Sequence, residues 1–338
     1  MTIRYAVIAD DFTGALDCST PFALAGLTVA AATRPEGAEA ARRSGADVIV
    51  VNTASRALPP GEAADLTVAA ASALSDAEIA FKKIDSRLKG NVLAEVEAAA
   101  RAFSRERIVV APAIPDQARP TVRGAVTGRG VAVNLPIAPH VPERAIVADA
   151  NTEADLDRLV GDHDWSTSLA VGARGLGLAF ARRHGEPAPK PFAPSERTLL
   201  AIGSHDPLTL TQIGQLDRSI SRHQAPLGRH DGSITSLPAL LQSTGPFNGP
   251  DVAVSQRFAA AVMRAVEQLQ PDTLVLSGGD TALAVLDALG VAIVFPQGEA
   301  APGLPWFLIE RPNRPSIRCV VKSGGFGGPD TLANLLPK

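Results

Sequence analysis

Two adjacent aspartates, Asp10 and Asp11, follow the apolar run Tyr5–Ala9 in the segment Ala9-Asp10-Asp11-Phe12-Thr13-Gly14-Ala15. Paired carboxylates at a strand end are costly unless solvated, paired or holding a cation. One could orient or deprotonate a substrate hydroxyl while the other holds the substrate; the plainer reading is that one caps the next helix. Spacing leaves both open. A second segment, Lys82-Lys83-Ile84-Asp85-Ser86-Arg87-Leu88-Lys89-Gly90-Asn91, mixes both signs of charge around a glycine. Arg87 with its planar fork and Lys89 as a point charge could clamp a carboxylate, although a solvated surface turn has the same composition. A third, Pro112–Arg119, offers Gln117 and Arg119 as polar hooks and is weak alone.

Two glycine-rich loops stand in the second half of the chain. Leu276-Ser277-Gly278-Gly279-Asp280-Thr281 reads as strand, glycine pair and helix start, and Lys322-Ser323-Gly324-Gly325-Phe326-Gly327-Gly328 follows another apolar run. Glycines let a phosphate come close, and amides at a helix start bind anions. One such loop is usually a tight turn; two in a small domain favour phosphate binding. The P-loop pattern GxxxxGK[ST] and the dinucleotide pattern GxGxxG are both absent.

The elements that must position these loops alternate. Short β-branched runs (Tyr5–Ala9, Val29–Ala32, Asp47–Val51, Ile79–Ile84, Arg107–Ala111) are separated by Ala/Leu-rich stretches such as Thr13–Ala25, Gly61–Leu74 and Val92–Phe103. That pattern predicts parallel βαβ units, in which ligands bind at the carboxyl ends of the strands. Pro112–Val141 has no helical period and reads as loops or a short hairpin. Strands at Ala145–Ala148 and Leu169–Val171 and helices at Thr152–Val160 and Leu176–His184 complete the first half. The proline-rich stretch Gly185–Ser195 reads as a linker, dividing the chain into residues 1–190 and 196–338. Beyond it, helices are expected at Thr209–Ile220, Val254–Gln268 and Thr281–Leu289, with strands at Thr198–Ile202, Thr273–Leu276, Ala292–Phe295, Phe307–Glu310 and Arg318–Val321. The fold class is therefore α/β, with two domains that each hold a mostly parallel sheet flanked by helices.

Composition narrows the function. At 338 residues the chain exceeds what one core usually holds, and 46% hydrophobic with 20% charged residues is ordinary for globular domains. A net charge of −3 and no dense basic run argue against a nucleic-acid partner. Two cysteines and six histidines without short-spaced pairs support neither a disulfide scaffold nor a zinc site. The N-terminus carries no signal peptide and no apolar run could cross a bilayer, so a cytoplasmic protein without a membrane partner is expected.

Together the motifs IADDFTGALD (Ile8–Asp17), KIDSRLKGN (Lys83–Asn91), APAIPDQAR (Ala111–Arg119), VGARGLGL (Val171–Leu178), IGSHDPLTLTQ (Ile202–Gln212), SGGDTA (Ser277–Ala282), GEAAPGLPW (Gly298–Trp306) and KSGGFG (Lys322–Gly327) resemble the four-carbon acid sugar kinase family, in family order across nearly the whole chain. The resemblance implies an N-terminal sugar-acid-binding domain and a C-terminal nucleotide-binding domain. ATP would give its γ-phosphoryl group to a hydroxyl of an acid such as threonate, erythronate, 3-oxo-tetronate or 3-oxo-isoapionate. Carried over, Asp10, Asp11, Asp85, Arg87, Lys89, Asn91, Gln117 and Arg119 would line the substrate pocket. Ser204, Gly278, Gly279, Asp280, Thr281, Ser323, Gly324 and Gly325 would surround the nucleotide. Mg²⁺ would bridge the ATP phosphates, and the residue holding it is unassigned. Asp11 is the first choice of base and Asp85 the second. Closure about Gly185–Ser195 would exclude water, and a homodimer is left open.

The sequence departs from the family in places. Asp85–Asn91 differs from the common DSTLRGN, Ala118 stands where glycine is common, Asp206 stands where serine is common, and the chain is short. Two other readings are a non-catalytic sensor of sugar acid or nucleotide and a sugar-acid isomerase or aldolase. The glycine loops of the second half speak against the latter.

Overall fold

A computed structural model describes residues 3–186, 188, 191–246, 251–311 and 313–337. The chain divides into two compact units, Met1–Ala188 and Pro189–Lys338. The proposed linker Gly185–Ser195 falls at this division, and Pro187, Pro189 and Lys190 within it lie outside the described residues.

The first unit contains the strands β1 (Tyr5–Ala9), β2 (Val29–Ala32), β3 (Val48–Asn52), β4 (Ile79–Lys83), β5 (Arg107–Ala111), β6 (Thr121–Val122), β7 (Ala125–Val126), β8 (Leu135–Pro136), β9 (Ile146–Val147) and β10 (Ser168–Gly172). Its main sheet runs in the order β2-β3-β1-β4-β10-β5-β9, all parallel. β1, β3 and β10 are buried at every position, so apart from Asn52 and Ser168 at strand ends they carry apolar residues throughout rather than alternating ones. Helices α1 (Phe12–Leu24), α2 (Ala38–Arg43), α3 (Pro60–Ser72), α4 (Val92–Ala102), α5 (Glu153–Asp162) and α6 (Arg174–Arg182) accompany the strands. After β1 the chain moves to β2 and β3 on one side, then crosses to β4 on the other. The strand order therefore reverses between β1 and β4, where α/β sheets place their ligands. Pro112–Val141, expected as loops or a short hairpin, holds a three-stranded antiparallel ribbon, β6-β7-β8, between the 3₁₀ turns Pro115–Gln117 and Ala138–His140.

Local chemistry explains the helix next to the site. Asp11 caps α1 by accepting from Gly14 N at 3.1 Å. Pro21 inside α1 has no N–H for the carbonyl of Asp17. Arg174 on α6 supplies the missing donor, with Nη1 3.2 Å from Asp17 O and 2.9 Å from Asp17 Oδ1. The same two helices meet where Gly177 faces Cys18: a Cβ at Gly177 would lie 2.7 Å from the Cys18 Sγ, so only glycine fits.

The second unit contains β11 (Thr198–Ile202), β12 (Ser221–Pro226), β13 (Ala239–Thr244), β14 (Thr273–Ser277), β15 (Ile293–Val294), β16 (Pro296–Ala301), β17 (Leu304–Arg311) and β18 (Arg314–Lys322), with helices α7 (Pro207–Gly214), α8 (Val252–Leu269) and α9 (Gly279–Ala288). Its sheet order is β12-β13-β11-β14-β18-β17-β16, parallel from β12 to β18 and antiparallel over the last two strands. Here too the order reverses, between β11 and β14. The helix expected over Thr209–Ile220 stops at Gly214. Leu216 and Ile220 beyond it still fill the apolar core, so their hydrophobic spacing imitated a longer helix. The edge strands β12 and β16 carry too much polar sequence to be read in advance.

Candidate functional site

In the first unit, three loops meet at the switch point. They follow β1 (Asp10, Asp11), β3 (Thr53–Leu58) and β4 (Ile84–Asn91). Their centre is Arg56, which the motif reading does not single out. Its Nε and Nη2 reach Asp10 Oδ2 and Oδ1 at 2.7 and 2.9 Å, and Nη2 also reaches Asp11 Oδ1 at 2.8 Å. Nη1 lies 3.8 Å from Asp85 Oδ2. Burial works against the charge on Arg56, but Asp11, Asp10 and Asp85 outweigh it and raise the pKa above that of a free guanidinium. Burial likewise works against the charge on Asp10. Arg56, with help from Lys82 and Lys83, still holds its carboxyl below the usual range.

A buried polar layer supports this cluster. Lys82 Nζ pairs with Glu95 Oε2 at 2.9 Å and also donates to Lys83 O at 3.1 Å, while Ser55 Oγ donates to Glu95 Oε1. Both ionised side chains are almost fully enclosed, at 0% and 2% exposure. Asn91 Nδ2 donates to Leu58 O and Ser55 O at 2.8 and 3.2 Å, which ties the start of α4 to the Arg56 loop. Gly90, at φ +88°, passes so close that a Cβ would lie 2.9 Å from Asp10 Oδ2. Lys83 is also buried, and its Nζ donates to Ile84 O at 2.9 Å.

The other substrate-pocket residues sit farther out. Asp85 Oδ1 accepts from Arg87 N at 2.8 Å and Lys89 N at 3.4 Å, shaping a turn that leaves the Arg87 and Lys89 side chains exposed. Arg119 Nη1 donates to Ser86 Oγ of that turn at 2.7 Å, and its Nε donates to Arg129 O at 2.9 Å. Burial, then the neighbouring Arg87, lowers the pKa of Arg119. Cations thus gather beside the carboxylates, an arrangement suited to an acid bearing hydroxyls. Gln117 is half-buried in a 3₁₀ turn, and Ala118 after it sits at φ +54°, a conformation that suits glycine.

In the second unit, the loops after β11, β14 and β18 converge at its switch point. Gly203 is so close to α9 that a Cβ would lie 1.8 Å from Thr281 Oγ1. Gly278 takes φ +105° and precedes α9, which has no side-chain cap. Asp280 stands in the first turn of that helix. A Cβ on Gly324 would lie 2.4 Å from Ser204 Oγ, and one on Gly325 would lie 3.5 Å from Asp206 Oδ2. Ser204, Gly278, Gly279, Thr281, Ser323, Gly324 and Gly325 are therefore gathered on one end of the sheet. Among the described residues, the amides of Gly324, Gly325 and Gly327 find no acceptor. Free loop amides beside an uncapped helix start suit a polyphosphate.

Comparison with known proteins gives the same division of labour. Residues 5–140 match a sugar-binding N-terminal domain, and residues 234–332 match a nucleotide-binding C-terminal domain. The chain belongs to the four-carbon acid sugar kinase family. It is 28% identical to a D-threonate kinase of Salmonella typhimurium, with 99% of this chain and 98% of that one covered. It is 25% identical to a 3-oxo-tetronate kinase of Methylobacterium radiotolerans, with 99% of each covered. A crystal structure of a Salmonella typhimurium LT2 protein described as a tRNA synthase superposes with a TM-score of 0.74 at 20% identity, covering 98% of both chains; that likeness concerns the fold.

For a member of this sugar-acid kinase family, the motif reading missed Arg56 and Glu95 and gave no role to Lys82 and Lys83, which stand in its second segment. Arg56 lies in Asn52-Thr53-Ala54-Ser55-Arg56, directly behind a strand, the position that drew attention to the other loops. Among the described residues no cluster of three His, Cys, Asp or Glu side chains could hold a metal unaided, and no helix is long and apolar enough to cross a membrane.

Proposed function

We propose that this protein transfers the γ-phosphoryl group of ATP to a hydroxyl of a four-carbon sugar acid of the threonate or 3-oxo-tetronate type. It would work in the cytoplasm, where ATP is supplied. The observation that carries the reading is the loop Lys322–Gly328, whose unpaired amides lie beside the start of α9. The carboxylates and guanidiniums of the first unit support an acceptor that carries both hydroxyls and an acid group.

In this reading Arg87, Lys89 and Arg119 hold the acid group, and Gln117 holds a hydroxyl. Asp11 takes the proton from the acceptor hydroxyl, with Asp85 as the second candidate. Asp10 has both oxygens on Arg56 and serves to fix that guanidinium. The amides of the glycine loop and of α9 receive the phosphates. Magnesium typically needs one or two carboxylates besides phosphate oxygens, and Asp206 and Asp280 are the acidic groups beside the loops. When bound it would neutralise charge on the transferred group.

The test is ADP release from purified protein with Mg-ATP across four-carbon sugar acids, their stereoisomers and their 3-oxo forms. Acid-dependent release with a phosphorylated product supports the assignment and names the acid. ATP binding without release for any acid favours a sensor. No ATP binding overturns the kinase reading.

A further inference from the structure

The glycine loop's own turns supply only part of its hold: Phe326 N donates to Ser323 O at 3.2 Å and Gly328 N to Thr331 Oγ1 at 2.8 Å. Four of its carbonyls are held from behind by buried side chains. Lys322 Nζ donates to Ser323 O at 3.1 Å, to Gly324 O at 2.9 Å and to Thr209 Oγ1 at 3.0 Å. Thr209 Oγ1 in turn donates to Gly324 O at 2.8 Å. One turn further along α7, Gln212 Nε2 donates to Phe326 O at 3.1 Å and to Gly328 O at 2.8 Å. Lys322, Thr209 and Gln212 are each 0% exposed.

We infer that Lys322, Thr209 and Gln212 are positioning residues for the nucleotide phosphates, acting by pulling the loop carbonyls inward so that its amides face out. The inference rests on the proposed kinase reading and deepens it. A glycine-rich segment has little conformational preference, so an unrestrained loop would present carbonyls to a phosphate as readily as amides. Carbonyl oxygens repel phosphate, and amides attract it. The acceptors settle which face is offered. An ammonium has three N–H donors, and here each has one acceptor. Gln212 spends both amide hydrogens on the loop. None of these side chains reaches solvent, so none is a phosphate ligand in this arrangement.

This explains two spacings that the glycines do not. Thr209 and Gln212 are three apart on α7, so they project from one helix face toward the same loop. Lys322 is the last residue of β18, so its side chain lies under the loop that it precedes.

The test uses Thr209→Val, which keeps shape while deleting the hydroxyl, together with Gln212→Leu and Lys322→Met in the full chain. Calorimetry would measure dissociation constants for ATP and for adenosine, with circular dichroism checking the fold. The expected result is at least a tenfold loss of ATP affinity in each folded variant, with adenosine affinity within twofold of the starting protein. An equal loss for both ligands would make the role general support of the unit and overturn the inference. ATP affinity within twofold in folded Thr209→Val and Gln212→Leu would overturn it as well. If Lys322→Met does not fold, the other two variants decide. Failure of the unmodified protein to bind ATP would instead remove the kinase reading on which the inference stands.

Discussion

Arg56 grips Asp10 through two hydrogen bonds of 2.7 and 2.9 Å while its second Nη2 contact falls on Asp11 at 2.8 Å. One guanidinium thus joins the two acids that open α1, and the two carboxylates are no longer equivalent. Asp10 is enclosed and committed; Asp11 keeps an edge toward solvent, at 3% and 21% side-chain exposure.

Removing the cation should therefore be costly. Arg56→Met leaves Asp10 buried without its bidentate partner, and loss of one member of such a pair costs roughly 3–5 kcal/mol. Denaturant unfolding at neutral pH should show it. Asp10 has a lowered pKa in the folded state, so its contribution is present above the unfolded value and lost as the pH falls through the folded one. The gap between Arg56→Met and the parent should narrow in acid. An unchanged gap at pH 2 and pH 7 would contradict the pairing.

Asp11→Asn separates structure from chemistry. Asparagine caps a helix about as well as aspartate and its Oδ1 can still accept from Arg56, so the fold should persist with a melting temperature lowered only by the lost charge of that pair. It cannot accept a proton, and loss of a general base typically slows turnover 10²–10⁴-fold. Normal turnover in Asp11→Asn would transfer the role to Asp85, where Asp85→Asn is the matching variant.

The buried pair Lys82–Glu95 should behave in the opposite way to a surface salt bridge. Glu95→Leu alone strands an ammonium in the core and should cost roughly 3–5 kcal/mol. The double variant Lys82→Met with Glu95→Leu should recover most of that, since apolar replacements of similar volume often substitute for such pairs. A double-mutant cycle with no coupling would refute the arrangement.

Lys322 offers a pH test. Burial pulls its pKa down to about 8, with Asp206 opposing the shift. Above that pH the amine has two N–H donors for three acceptors, so ATP affinity should fall as pH rises from 7 to 9. The unfolded chain keeps the proton to about 10.5, so this same group adds stability across that rise. Binding and stability should move in opposite directions. In Lys322→Met the lysine-dependent part of both trends should vanish.

The sheet strands with continuous β-branched runs were legible in the sequence, because burial on both faces leaves no polar interruption. Tyr5–Ala9, Val29–Ala32, Arg107–Ala111 and Thr198–Ile202 are found at the expected residues. Edge strands such as Ser221–Pro226 were not, since their exposed positions carry the residues of a loop. At the candidate sites, motif spacing drew attention to charged or polar loop positions and to glycines. It passed over Arg56 and Glu95 and gave no role to Thr209 and Gln212 inside IGSHDPLTLTQ, because the importance of all four depends on partners distant in sequence. Lys82 and Lys322 stood inside quoted segments, but nothing in the sequence distinguishes a buried lysine from a solvated one.

The contact of Gly177 with Cys18 has a practical consequence. Cys18 lies at 0% exposure in the first unit, and burial pushes its thiol up to about 12; Cys319, the chain's other cysteine, is equally enclosed in the second unit. Neither sulfur can react with an alkylating reagent until its own unit opens. The chain therefore carries one silent chemical clock per unit, and peptide mapping of the alkylated sites would time the opening of each half separately in a single sample.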